Sequence, residues 1–450
     1  MKLSPVLIIV GFFIAIFLWL AVNNGLLFGS NYLFSVFIVV FSILLTIQGV
    51  VTLTWMLYAW EDPQKIKDYR SPTIFFPPKY SFTALIPARH EEKVIKDTIN
   101  AVNKINYPER LKEILVLCRE DDQGTIEKAK EAISELKSSN IRLIIFNDFP
   151  INKPHSLNIG LKEAKNQIIA IFDAEDEPHS DIYRIVNTVI DRDNADVIQS
   201  GVQLMDYDSK WFSALNVLEY FFWFKSGLHF FTQIGNVSPL GGNTVFFKKE
   251  WLEKINGWDE KCLTEDADIG IRLTLAGAKI KVVYDERHAT QEETPANIKS
   301  FIKQRTRWNQ GFLQILQKKH WLKLPTIKQR AIAGYVLSSP EIGAFLFFYI
   351  PLAFGVAVLK KLPILVSLFS YIPFYLFLFQ LLVSAVALHE FVKTYKLKNS
   401  FWTPLRIILF FFPYQILLMF SSFRAGYRML IKEIGWEKTT HTNIHRNKEK

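Results

Sequence analysis

Cysteine is almost missing from this chain, with two residues in 450, Cys118 and Cys262. Two thiols supply neither a disulfide framework nor a thiolate metal cluster, and a reducing compartment fits. Cys118 ends a short apolar run and reads as a small buried hydrophobe. Also lacking is a basic stripe interleaved with aromatics on a polar segment, so the formal charge of +10 does not point to nucleic acid. His155, His179, His229 and His288 lack metal-ligand spacing and read as structural or surface residues. No internal repeat or low-complexity tract interrupts the chain.

What the chain has in excess is apolar surface. Half its residues are hydrophobic and 38 are Phe, concentrated before Glu61 and after Ala331. A span needs about 20 apolar residues. The run at 6–22 follows one lysine and precedes NNGLLFGSN, which has no clear small-residue cleavage site. It therefore reads with the run at 32–60 as a transmembrane hairpin covering 1–62. Runs at 332–359 and 362–388 are long enough to cross. A third at 404–423 carries Pro413 and precedes a basic tail, 431–450. Crossing there would put that positive charge outside, against the usual bias, so a broken or re-entrant helix is expected. Four crossings and a cytoplasmic domain at 63–328 follow, with 329–430 as the second membrane region of a multi-pass plasma-membrane protein. Glu341, inside an apolar run, should face protein or water.

Between the membrane parts, SFTALI, EILVLC, IRLIIF, QIIAIF and ADVIQS are short β-rich runs. Helical stretches such as 92–104, 125–137 and 181–192 separate them. Such alternation implies an α/β fold with a mainly parallel sheet, and ligands bind beyond the carboxyl ends of its strands. Segments 211–231 and 296–317 are aromatic or amphipathic and fit helices lying in the membrane interface.

Acidic motifs stand at those strand ends. The first strand leads into PARHEE with Glu91, the second into REDDQGT with Asp122, and the fourth into DAEDEP with Asp173, Glu175 and Asp176. LTED, with Glu265 and Asp266, opens a later helical pattern. Any one such pair also serves as a helix N-cap. Together they crowd like charge at one edge of a sheet, which needs a cation, and hard oxygen donors suit Mg²⁺ or Mn²⁺.

With these motifs in order, the chain resembles a family 2 glycosyltransferase of GT-A fold, of the membrane-integrated type that includes cellulose and hyaluronan synthases. The resemblance spans roughly residues 81–312 and rests on Asp122, Asp173-Ala174-Glu175, Thr264-Glu265-Asp266 and Gln304-Arg305-Thr306-Arg307-Trp308. It implies that Glu91, Asp122 and Lys153 contact a sugar nucleotide. Asp173 would bind the metal at the diphosphate, with either Glu175 or Asp176 as the second ligand. Asp266 would be the general base for inverting attack by an acceptor hydroxyl. Gln304, Arg307 and Trp308 would meet the diphosphate and the acceptor, and Gly241 and Gly242 would allow the acceptor close to backbone. The expected reaction extends a β-linked polysaccharide from a sugar nucleotide, UDP-glucose being favoured over UDP-N-acetylglucosamine and GDP-mannose, with coupled secretion. Transfer of one sugar to a lipid or short glycan, or a non-catalytic channel or scaffold, are the alternatives.

Overall fold

The computed structural model describes residues 31–61, 64, 66–360, 364–398 and 403–437. The expected span at 6–22 and the basic residues from 438 onward lie outside them. Helix α1 (Asn31–Glu61) comes first. An alternating series follows: β1 (Phe82–Ala88), α2 (Ile95–Asn103), β2 (Lys112–Arg119), α3 (Gln123–Leu136), β3 (Ile141–Phe146), α4 (Lys153–Glu163), β4 (Ile168–Ile171), α5 (Ile182–Asp193) and β5 (Val197–Ser200). The next part adds β6 (Val202–Leu204), α6 (Ser213–Phe222), α7 (Leu228–Gly235), β7 (Val245–Lys248), α8 (Lys249–Lys254), α9 (Glu265–Ala276), β8 (Ile280–Val283), β9 (Thr290–Glu292) and α10 (Ile298–Lys318). Long apolar helices follow: α11 (Ile327–Lys360), α12 (Ile364–Thr394) and α13 (Thr403–Leu430).

The main sheet has seven strands in the order β3-β2-β1-β4-β7-β5-β8, and a small parallel pair, β6 and β9, stands apart. The five strands expected from sequence form to within a residue or two. They form because both sheet faces are buried. In β1, Phe82, Ala84 and Ile86 join the core under α2, α3 and α5, whereas Leu85 joins the core under α4, α8 and α9. A strand buried on both sides reads as a continuous apolar run. Cys118 lies in the first core, and burial pushes its thiol up to about 12, so it stays an unreactive hydrophobe.

Strand β7 departs from the parallel pattern. It runs antiparallel to β4 and β5, pairing Val245 with Ile171. That reversal matters for the site. The start of β7, rather than its end, meets the carboxyl end of β4, and it delivers Gly242 and Asn243 to the edge where Asp173 stands.

Four helical segments are long and apolar enough to cross a membrane: Ile38–Glu61, Ile327–Ala353, Ser367–Thr394 and Thr403–Leu430. The π-bulged pair α6–α7 and helix α10 pack between the sheet and these helices, with Phe212, Phe221 and Phe301 meeting Phe377, Phe391 and Phe411. The break expected at Pro413 is not present, since α13 is one helix through it. Pro413 is exposed, so its missing N–H leaves a vacant carbonyl on the outer face only. Both ends of α13 are tied to the sheet domain and its flanking helices. Arg406 donates to the Asp208 carbonyl at 3.2 Å near the start, and Arg428 Nε donates to Gln310 Oε1 at 3.1 Å near the end. Its outward side is apolar along its length, exposing Ile408, Phe412, Ile416, Phe420 and Phe423.

Candidate active site

Parallel pairing of β2, β1 and β4 brings three strand-to-helix loops to one edge. Asp173 follows β4. Lys153 opens α4, where the Asn152 side chain caps the helix by accepting from the His155 N–H at 3.0 Å. The lysine crosses the edge to ion-pair with Asp173 and to donate to the Gly242 carbonyl at 2.8 Å. Gly242 is bare for a reason: an added Cβ would lie 3.1 Å from Asp266 Oδ2 and 3.3 Å from Lys153 Nζ. Asp266 sits in the first turn of α9 and accepts from the Ala267 N–H at 2.7 Å. A helix N-terminus favours such a negative charge.

Helix α10 presents Gln304, Arg307 and Trp308. It reaches the Thr264–Asp266 turn because Gly311 leaves no side chain between them, and a Cβ there would stand 2.7 Å from the Thr264 backbone nitrogen. Arg307 lies over the Trp436 ring at 4.2 Å. Gln304 Oε1 and Arg307 Nε are buried without hydrogen-bond partners among the described residues. Buried polar atoms left open in this way call for a partner, such as water, an ion or a ligand.

Charge at this edge is held in tension. Burial opposes charge on Lys153, but Asp173, Glu265 and Asp266 outweigh it and keep the amine protonated. Burial, then Asp266, pushes Glu265 up to about 7 against the pull of Lys153 and Arg307. Burial also raises Asp266, restrained by the Ala267 N–H, Lys153 and Arg307. A carboxylate whose pKa is lifted toward neutrality is a better proton acceptor at working pH.

A cavity of about 780 Å³ joins these groups. Glu91, Lys153, Asp173 and Glu175 border it, together with Gly241, Gly242, Glu265 and Asp266. Beyond Gln304, Arg307 and Trp308 it continues to Thr52 on α1, Ser339 on α11, Gln380 and Ser384 on α12, and Gln415 on α13.

Two expected site residues do not border it. Asp122 is 4% exposed and caps α3, accepting from the Thr125 N–H at 3.4 Å and from the His90 N–H at 2.5 Å. Burial opposes its charge, yet those bonds hold the carboxyl below the usual range. Asp122 thus shapes the His90–Glu91 turn from behind. Asp176 is fully buried and turned inward, accepting from the Asp173 N–H at 2.8 Å and from Asn243 Nδ2 at 2.9 Å. Burial and the neighbouring Asp173 push it up to about 8. Glu175, by contrast, stands at the cavity. Among the described residues no three His, Cys, Asp or Glu side chains converge on a metal site. Asp173, ion-paired with Lys153, and Glu175 both border the cavity, and two such carboxylates suit a hard cation that takes its other oxygens from a diphosphate.

Other residues shape the site without any motif to reveal them. Gln199, fully buried on β5, accepts from the Gly241 N–H at 2.7 Å and donates to the Asn243 carbonyl at 3.0 Å, fixing the loop before β7. Glu292, beside Asn243 on β9, also borders the cavity. A glutamine following two apolar residues in a short β-rich run was the one available sign of Gln199.

The model of the family described as glycosyltransferase like family 2 matches residues 77–311. The chain belongs to that family. It is a glycosyltransferase of the hexosyltransferase kind. The enzyme is 24% identical over 398 residues to the probable glycosyltransferase YdaM of Bacillus subtilis, covering 82% of this chain and 88% of that one. It is 25% identical over 273 residues to poly-beta-1,6-N-acetyl-D-glucosamine synthase of Staphylococcus epidermidis, covering 60% of this chain and 63% of that one. Beta-monoglucosyldiacylglycerol synthase of Nostoc is 26% identical over 235 residues, covering 51% of this chain and 48% of that one. The match thus spans less than two thirds of the latter two proteins. Among solved structures, a mannosyltransferase from Pyrobaculum calidifontis in complex with GDP-Man and Mn²⁺ shares 17% identity over 78% of this chain and 98% of that chain, at a TM-score of 0.47.

Proposed function

We propose that this glycosyltransferase is a membrane-bound inverting enzyme that extends a β-linked glycan from a UDP-sugar, with UDP-glucose the favoured donor. The observation that carries this reading is the continuous cavity from Asp173 and Asp266, past Trp308, to polar residues on apolar helices. Thr52, Gln380, Ser384 and Gln415 would be costly against lipid tails but suit a passing chain of hydroxyls. Helices α1, α11 and α12 cross the plasma membrane. Helix α13 lies along the cytoplasmic domain, which keeps Arg424 and Arg428 on the cytoplasmic side.

Lys153 and Arg307 hold the diphosphate, Arg307 with a forked set of donors. Glu91 meets the nucleoside, on a turn that Asp122 holds in shape. Mg²⁺ or Mn²⁺, bound at Asp173 and Glu175, would neutralise charge on the leaving nucleoside diphosphate. Asp266 removes the proton from the acceptor hydroxyl as that oxygen attacks the anomeric carbon. One attack from the far face turns an α-linked donor into a β-linkage. Trp308 offers a flat face for the terminal acceptor sugar.

The test is a donor screen of the full-length enzyme in lipid, reading nucleoside diphosphate release and product size together. Polymer from one UDP-sugar supports the reading, and turnover that yields only single-sugar products overturns polymer extension. Transfer of one sugar to diacylglycerol is the second reading. The Nostoc relative, named for a glucosyldiacylglycerol product, favours it, and product mass separates the two.

A further inference from the structure

Arg305 stands inside the Gln304–Trp308 motif but faces away from the diphosphate end. Its guanidinium lies over the Trp308 ring at 4.5 Å and over Phe301 at 5.1 Å. It is ion-paired with Glu219 of α6, whose Oε2 also accepts from the Tyr414 hydroxyl of α13 at 2.7 Å. The side chain of Arg305 is only 11% exposed. The Tyr220 ring stands 6.4 Å from that of Trp308. Residues of three helices, α6, α10 and α13, thus gather about the indole, and Arg305, Glu219, Tyr220 and Tyr414 all border the same cavity.

The geometry points to Arg305 as the positioning residue that sets the tilt of Trp308, with Glu219 and Tyr414 as its anchors, and so as a determinant of acceptor binding and product length. This role rests on the proposed function, in which Trp308 stacks the terminal acceptor sugar. A planar guanidinium can lie over an indole while it holds a carboxylate, whereas an ammonium keeps the charge but not the stack. With one face of the ring covered by Arg305, the other is the face left for a sugar. Tyr414 makes the platform depend on α13, the helix whose outer side is apolar throughout.

The test uses the full-length enzyme with whichever nucleotide sugar the wild type consumes. The acceptors are short oligosaccharides released from the wild type's own product by partial acid hydrolysis. Arg305→Lys and Tyr414→Phe are compared for acceptor KM, donor KM and product length. The expected result is an acceptor KM raised about tenfold for Arg305→Lys, the size of one desolvated cation–π contact, with shorter product and a donor KM that moves less. Tyr414→Phe should shift the same quantities in the same direction by less. Donor and acceptor KM rising in step, or an acceptor KM equal to the wild type's, would overturn the role. A wild type whose rate is indifferent to added oligosaccharide overturns the proposed function, and this role with it. That outcome is read from the wild type alone, so the two failures are distinguishable.

Discussion

Alanine at Gly242 probes the reaction centre without replacing any reacting group. The added methyl would sit 3.1 Å from Asp266 Oδ2 and 3.3 Å from Lys153 Nζ, closer than ordinary van der Waals contact. Neither neighbour moves freely. Lys153 is tied to Asp173 and to the Gly242 carbonyl, and Asp266 to the Ala267 N–H. Each must yield by a few tenths of an ångström, and both are groups proposed to act on the sugar nucleotide or the acceptor. A full ångström of misplacement costs about 10²-fold, so a loss of about tenfold in kcat is expected here. Gly241→Ala is the internal control. Its Cβ would meet Phe224 Cζ at 3.4 Å and Gln199 Oε1 at 3.5 Å, ordinary contacts on the far side of the loop, and should cost no more than about threefold. Nucleoside diphosphate release gives the rates, and thermal unfolding shows whether both variants are folded. Equal activity in the two variants would refute the reasoning, since Asp266 and Lys153 would then be free to shift or remote from the chemistry.

Asp266→Asn, which keeps the shape and removes the basicity, should lower transfer by about 10²- to 10⁴-fold, and robust product from it would dismiss Asp266 as the base. Burial raises the Asp266 carboxyl and only its ionised form accepts a proton. The acid limb of kcat/KM against pH should therefore lie above the ordinary aspartate value of about 3.9, and a limb at or below that value contradicts the assignment. Glu175→Gln should raise the Mg²⁺ or Mn²⁺ concentration for half-maximal rate by about tenfold or more. Asp176→Asn, at a carboxyl largely protonated near neutral pH, should instead show mainly as a lower unfolding temperature. The opposite pattern in a metal titration would return Asp176 to the ligand set. Gly311→Ala drives a methyl into the Thr264 turn, and overpacking of this kind costs about 1–3 kcal/mol. Unchanged thermal stability would mean that α10 can slide.

Legibility in this chain followed the range of the forces involved. Strands β1 to β5 could be read because burial on both faces leaves a local mark, an apolar run bounded by polar turns. The direction of β7 could not, since VFFK pairs with Ile168–Ile171 and Val197–Gln199 through contacts 46 to 80 residues distant in sequence. The acids after β1, β2 and β4 were visible as motifs, but their aim was not. The Asp122 carboxylate is taken by the His90 and Thr125 backbone, and Asp176 by Asn243 and the Asp173 N–H. Glu175, between Asp173 and Asp176 in the chain, faces the cavity. Three carboxylates within four residues thus take different roles, because a turn points consecutive side chains in different directions. Helix α13 carries the same lesson at larger scale. By length and hydropathy it equals the other helices able to cross a membrane, and charge bias in the sequence argued only that it should not cross. The folded chain adds a series of polar contacts on its inner face, from Arg406 through Tyr414 and Ser422 to Arg428, each to Asp208, Glu219 or α10. A helix crossing a bilayer carries one end away from a domain on either side. In the topology we propose, α13 bonds to the same domain at both ends and lies beside it, with its apolar outer face turned toward lipid.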